Sequence, residues 1–226
     1  MRWLTFLLAV MLAGCGSTAY VLYDDPPSGA ALAGQRTVAY ETLPAFWQRQ
    51  PDCAVILPAS IETTPGLIEA RDVELAAARH LFGRISRVLD PARRDRALRQ
   101  HALDLNHPAD RIRFADRTGC GFGLRLAVEA RSGWAMVWAE RQIGLAIGLI
   151  DLRDDAVLWR ARHAARRGAG GAPLSPLSLL VSTGAAARFA ADADVPLSLL
   201  DDALRRTLAT LPDLRGAELR TGVSSR

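Results

Sequence analysis

Apolar residues first gather at 54–57, where Ala-Val-Ile-Leu runs without interruption until Pro58 closes it. A run with no alternation is the pattern of a strand buried on both faces, and proline cannot donate to the ladder beyond it. Ahead of it, 42–50 predicts a short helix capped by Thr42 that turns Phe46 and Trp47 toward the core. After a polar loop, Val73, Ala77, Ala78, Leu81, Phe82 and Ile85 recur three and four apart, with Arg71, Glu74, Arg79 and Arg84 mostly between them. That spacing predicts an amphipathic helix over 70–86. A short strand at 87–89 follows, then a helix capped by Asp90 with Pro91 in its first turn, running to about 105. A further helical segment opens at Asn106 and Pro108 and ends at Gly119.

From Gly121 the period drops to two. Phe122, Leu124, Leu126 and Val128 alternate with Gly123, Arg125, Ala127 and Glu129, which predicts a half-buried strand. Arg131-Ser132-Gly133 reads as its turn, and the return run over 134–152 sets Ile143, Leu145, Ile147 and Leu149 on one face. Its other face carries Gln142, Gly144, Ala146 and Gly148, small enough to let another element approach the backbone; packing within the chain is the expected use. Asp154-Asp155 makes the next turn, and Val157, Trp159 and Ala161 alternate with Leu158, Arg160 and Arg162 in a third strand. The Gly-rich stretch 166–173 reads as a mobile connection. Two helices close the chain, an unusually apolar one over 176–191 that carries Leu177 and Leu180, and a second with Leu199, Leu200, Leu204 and Leu208 in a stripe. The expected fold is therefore a single α/β domain, a sandwich whose mixed sheet includes a three-stranded antiparallel meander with helices packed on it.

Composition narrows the class. Half of the 226 residues are hydrophobic and 23% charged, which excludes wholesale disorder. The net charge of +4 comes entirely from Arg, Lys being absent, and the charges alternate in sign instead of massing, so no nucleic-acid partner is expected.

The N-terminus carries the strongest signal. Arg2 precedes an apolar run of about ten residues, too short to span a bilayer. Leu12-Ala13-Gly14-Cys15 then resembles the bacterial lipobox, in which the cysteine receives diacylglycerol and an N-acyl chain and becomes the first mature residue. The resemblance implies a signal peptide at 1–14 and lipidation at Cys15. No other cofactor is expected. Gly16 in place of a retention Asp implies the outer membrane, with the protein facing the periplasm. Residues 15–40 read as lipidated N-terminus and tether, 41–214 as the domain, and 215–226 as a flexible tail.

Cys53 and Cys120 each begin a predicted strand, and an envelope compartment permits pairing. They form a disulfide if those strands are neighbours, or remain two buried thiols. No metal-ligand spacing occurs, and no GxSxG, HExxH, SxxK or Walker A sequence, so no catalytic residue is assigned. Gly119 to Gly123 is Gly-rich but precedes a strand, so it lacks the helix N-terminus that cradles phosphate. His80, His101, His107 and His163 are scattered singly; an enzyme would need a cleft joining His163 to an Asp. Asp151, Asp154 and Asp155 bracket a hairpin, where turn chemistry accounts for them better than a cation does.

The segment 143–160, with its hydrophobic strand, Asp151-Leu152, acidic turn and Leu158-Trp159, resembles envelope lipoproteins of the CsgG, PelC and TolB N-terminal-domain-like group. Ala54-Val55-Ile56-Leu57-Pro58 is similar to their early strand. The resemblance implies self-association in some relatives and service in secretion, export or envelope assembly. It does not extend to the transmembrane hairpins of a secretion pore. The expectation is a non-catalytic accessory module that binds envelope proteins or copies of itself through the 176–191 helix or the face of Gly144 and Gly148. The alternative is a peptidoglycan or polysaccharide binder using Arg160, Arg162, Trp134 and Trp138.

Overall fold

A computed structural model describes residues 19–23, 37–171 and 175–215. Cys15, the expected signal peptide and most of the expected C-terminal tail lie outside them. The described residues form eight strands and six helices. The strands are β1 (Ala19–Leu22), β2 (Thr37–Thr42), β3 (Cys53–Ile56), β4 (Ser60–Thr63), β5 (Arg87–Leu89), β6 (Phe122–Ala135), β7 (Trp138–Asp151) and β8 (Val157–Gly170). The helices are α1 (Pro44–Arg49), α2 (Ala70–Leu81), α3 (Pro91–His101), α4 (Pro108–Thr118), α5 (Pro176–Ala191) and α6 (Asp194–Leu208).

One mixed, open sheet takes all eight strands in the order β1-β2-β8-β7-β6-β3-β5, with β4 also paired to β6. The meander β6-β7-β8 is antiparallel, as its period of two requires. Its strands are fourteen residues each, longer than the sequence suggests. Arg131, Ser132 and Gly133 do not turn; they pair with Gln142, Arg141 and Glu140, and the chain reverses at Met136-Val137. Continued pairing satisfies backbone groups that an earlier turn would have left exposed.

The stretch expected to be a mobile connection is strand as far as Gly170. Its glycines are required by the hairpin beside it. A Cβ on Gly168 would lie 2.5 Å from the Trp138 ring, and one on Gly170 would lie 1.9 Å from the Val137 carbonyl oxygen. A β-bulge between Leu149 and Ile150 in the β7–β8 register sets Val157 opposite Ile150 and Trp159 opposite Leu149. Val157 therefore leaves the face of Trp159 and packs with Ile150 and Leu152 on the other side of the sheet.

Two hydrophobic clusters result. The larger lies between one sheet face and helices α2 and α6, and takes in Leu126, Val128, Ile143, Leu145, Ile147 and Trp159 with Val73, Leu81, Leu200 and Leu204. The smaller lies on the opposite face at the β3–β5 end, where Val55, Leu57, Ile150 and Leu152 meet Phe114 and Ala115 of α4 and Leu98 of α3. Strand β3 is buried on both faces, Ala54 and Ile56 toward one cluster and Val55 toward the other. Pro58 ends that ladder, yet β4 resumes it beside Ala127 to Ala130 of β6. Cys53 and Cys120 are joined by a disulfide, their Cα atoms 5.3 Å apart, because β3 and β6 are sheet neighbours.

At helix ends the sequence signals hold where a side chain reaches the backbone. Asp90 accepts from the Arg93 amide, and Gly119 at φ 63° ends α4. Thr42 does not cap α1; it is the last residue of β2, and Leu43 precedes the helix without a side-chain cap. Phe46 is buried as expected, whereas Trp47 is 57% exposed. Residues 19–22, expected within a tether, form an edge strand parallel to β2. Among the described residues no helix is long and apolar enough to cross a membrane.

Candidate functional site

The helices α3 and α4 cover the second sheet face only at the β3–β5 end. Over the rest of the meander that face has no covering element among the described residues, although the opposite face of the same rungs is buried. Its rungs read Arg125-Gly148-Arg160, Ala127-Ala146-Arg162, Glu129-Gly144-Ala164 and Arg131-Gln142-Arg166 across β6, β7 and β8. At the Gly148, Ala146 and Gly144 rungs a small central residue has at least one long neighbour, Arg125 and Arg160, Arg162, and Glu129 in turn, which makes a trough whose floor is near the β7 backbone. Packing within the chain, the expected use of Gly144 and Gly148, is not found among the described residues. A Cβ on Gly144 would make ordinary contact with Glu129 at 3.6 Å, and one on Gly148 would meet only the Trp159 carbonyl at 3.8 Å.

The arginines of this face are engaged. Arg160 donates to Glu41 of β2 at 2.7 Å, and its guanidinium lies 4.1 Å from the centre of the Tyr23 ring. Arg162 stacks on the same ring at 4.8 Å and donates to the Tyr23 carbonyl at 2.7 Å. Together they hold the end of β1 by cation–π and hydrogen-bond contacts. Arg131 reaches Glu129 and Arg166 reaches Glu140.

At the end of the meander the remaining expected residues come together. Trp134 and Met136 are about two-thirds exposed, at 66% and 64%, and Trp138 is 42% exposed. Trp134 falls on the helix side of the β6–β7 tip, and Trp138 on the trough side, over Gly168. Beside them runs α5. Of its sixteen residues only Ala186 is buried, and Leu177 and Leu180 are each 71% exposed. Its start is fixed by a capping box between Ser175 and Ser178. Its last turn is held where Arg141 donates to the Ala190 carbonyl at 2.7 Å.

The acidic turn is an ion-pair network. Arg49 of α1 donates to Asp151 at 2.6 Å and to Asp154 at 2.7 Å. Asp155 takes both Arg111 at 3.0 Å and Arg125 at 2.8 Å. The hydrogen bond from Arg49 holds the Asp154 carboxyl down at about 2, with a second bond from the Ala156 amide. Guanidinium groups thus stand where a cation would have to bind, and no cluster of metal-ligating side chains occurs among the described residues.

The histidines do not converge. His80 contacts Asp201 at 2.9 Å, linking α2 to α6, and His107 lies 3.8 Å from Asp104. His163 is buried between β2 and α6 with Nδ1 2.8 Å from the Thr37 carbonyl and Nε2 without a hydrogen-bond partner. Burial is the main cause of its lowered pKa, reinforced by the nearby Arg206 and opposed by the Thr37 bond. A Cβ on Gly123 would lie 2.9 Å from the Leu152 side chain, so the Gly-rich segment serves close packing of strand β6.

Sequence reasoning missed the buried pair Glu74 and Arg94, because Glu74 falls among apolar helix positions where a charge signals nothing by itself. Arg94 donates to the Ile56 carbonyl at 2.9 Å and to Glu74 at 2.9 Å, while Glu74 accepts from the Ala59 amide at 3.0 Å.

No family model matches the sequence, and no curated protein does. Several solved bacterial proteins are similar in structure. A PelC dodecamer from Paraburkholderia phytofirmans aligns over 76% of this chain and 96% of its own, at 22% identity and a TM-score of 0.43. Lipoprotein GNA1162 from Neisseria meningitidis aligns over 63% and 100%, at 18% identity and 0.44. The LpoB C-terminal domain from Salmonella enterica aligns over 51% and 82%, at 16% identity and 0.37. The likeness takes in PelC and a lipoprotein, and does not single out the CsgG group.

Proposed function

We propose that this chain is a lipid-anchored, non-catalytic accessory lipoprotein of the bacterial envelope, facing the periplasm from the outer membrane, and that its partner seats in the trough of the meander. The observation that carries this is the meander face that no element covers among the described residues. Over residues 124–130, 143–149 and 159–165 the three strands bury one side, while the other keeps a floor of Gly144, Ala146 and Gly148. A face of this kind has room for an envelope protein or for a second copy of the chain. The lipobox-like Leu12 to Cys15 and the Cys53–Cys120 disulfide support an envelope location, since disulfides persist in oxidising compartments.

Glycan recognition is the weaker reading. The two arginines it relies on, Arg160 and Arg162, are engaged with Glu41 and Tyr23. Saturable binding of peptidoglycan fragments that disappears in Arg160→Ala would restore it.

A photo-crosslinking residue placed at Ala146 in growing cells tests the main reading. The expected result is one discrete adduct, lost when Gly144→Leu fills the trough while thermal unfolding stays unchanged. Absence of an adduct from Ala127, Ala146 and Ala164 alike would reject it.

A further inference from the structure

The end of the domain that carries Trp134 and α5 is also the end that the start of β1 faces. Strand β1 is parallel to β2 with Ala19 opposite Thr37, and β2 is antiparallel to β8 with Val38 opposite His163. Ala19 therefore stands at the level of Ala164, at the end of β1 that faces Gly170 and the β6–β7 tip. Gly170 is six residues beyond that level, about 20 Å at strand rise. Only residues 16–18 separate Cys15 from Ala19, so the Cα atoms of Cys15 and Ala19 are at most about 14 Å apart whatever path the chain takes. An acylated Cys15 on so short a leash cannot stand beyond the tip. With the strands upright, the tip reaches toward the membrane at least as far as the residue that is anchored in it.

The chemistry of that end fits such a position. A Cβ on Gly171 would lie 3.9 Å from the Ser182 hydroxyl, and Ala190 is held back at Arg141. The turns of α5 before Ser182 therefore project past the end of the sheet by about 9 Å. They carry Leu177, Leu180 and Val181, all strongly exposed, beside the exposed Trp134, Met136 and Trp138. Tryptophan is the side chain that favours the bilayer interface, where its ring is buried and its N–H stays hydrated. Behind the apolar tip, Arg131 and Arg166 share one rung four residues back from Ala135 and Gly170, with side chains 70% and 45% exposed. That is where long cationic side chains meet lipid phosphates.

We propose that the β6–β7 tip and the first turns of α5 form a bilayer-contact surface that seats Trp134, Met136, Trp138, Leu177, Leu180 and Val181 in the interface of the membrane holding the Cys15 lipid. The proposal rests on the lipid anchor and gives the domain a definite orientation. The long strands stand upright, and the trough opens sideways.

The test uses the full chain, processed in cells and reconstituted into phosphatidylethanolamine–phosphatidylglycerol vesicles with and without brominated acyl chains. Trp3 precedes Cys15, so the processed protein fluoresces from Trp47, Trp134, Trp138 and Trp159. Brominated lipid is expected to quench total emission roughly twofold, and the double variant Trp134→Phe, Trp138→Phe to abolish the quenching, while Trp47→Phe leaves it intact. Quenching that follows Trp47 instead would mean that the domain lies on its side and would overturn the proposal. Emission unaffected by brominated lipid, with light scattering showing copies joined through the tip, would overturn it as well. Intact mass separates the two readings. A mature chain without acyl groups on Cys15 removes the anchor and the proposal with it, whereas an acylated chain without quenching removes the proposal alone.

Discussion

Arg94 and Glu74 face each other at 2.9 Å in the interior, with side chains only 6% exposed on either partner. The pair ties α3 to α2 across the β3–β4 connection, since Arg94 also takes the Ile56 carbonyl and Glu74 the Ala59 amide. Arg94 also donates to the part-exposed Asp95 at 2.8 Å, so Glu74 is the buried charge that depends on it. Arg94→Ala leaves Glu74 buried without its ion-pair partner and is expected to cost about 3–5 kcal/mol, a fall in Tm of roughly 10 °C. Replacing both partners by apolar residues of similar volume, Glu74→Leu with Arg94→Met, is expected to cost less than Arg94→Ala alone. Thermal unfolding of the three proteins checks the order.

The Cys53–Cys120 bond spans 67 residues of chain, and a loop of that length is worth about 4 kcal/mol by the chain-entropy account. Reductant is expected to lower the Tm of the native sequence and to leave the double Ala variant unchanged. Equal response of both proteins would show that the two thiols are not bonded.

His163 couples stability to pH. Its folded pKa lies below the usual value of 6.5, so below that value the unfolded chain binds a proton that the folded chain refuses. The stability is fully present above 6.5 and declines as pH falls toward the lowered folded pKa. Tm is therefore expected to drop between pH 7.5 and 5.5, and His163→Gln to flatten that drop. A slope unaltered in the variant would assign it to other groups.

Two glycines on the same sheet should behave in opposite ways. Gly148→Ala adds a methyl that meets nothing closer than 3.8 Å, and is expected to be neutral or mildly stabilising. Gly170→Ala drives Cβ to 1.9 Å from the Val137 oxygen at φ +115°, and is expected to lose more than about 1 kcal/mol. Hydrogen exchange at the β6–β7 tip would show that second loss as local fraying.

The periods of 3.6 and 2 made most elements legible in the sequence, because burial on one face dictates them. The β3 run, the α2 stripe and the row from Ile143 to Leu149 all stand where those periods put them. The tip was illegible because Met136-Val137 carries none of the Gly or Asn that announce a two-residue turn, while Ser132-Gly133 does. Strand β1 was illegible because four edge residues bury too little to impose a pattern, and its clamp by Arg160 and Arg162 joins positions more than a hundred residues apart. The trough residues were recognisable as small. That the face would stay open depends on where α3 and α4 stop, which no local pattern encodes.

Three strands in unbroken register from Trp138 to Leu149 also restrict how this protein can vary in length. One residue inserted in the middle of β7 would turn Gly144 and Ala146 inward and Ile143 and Leu145 outward, exchanging the wet and dry sides beyond that point. A two-residue insertion keeps sidedness and merely lengthens the blade. Relatives should therefore differ in the reach of this hairpin by even steps, with odd ones found only where a bulge such as that at Leu149 absorbs the extra residue.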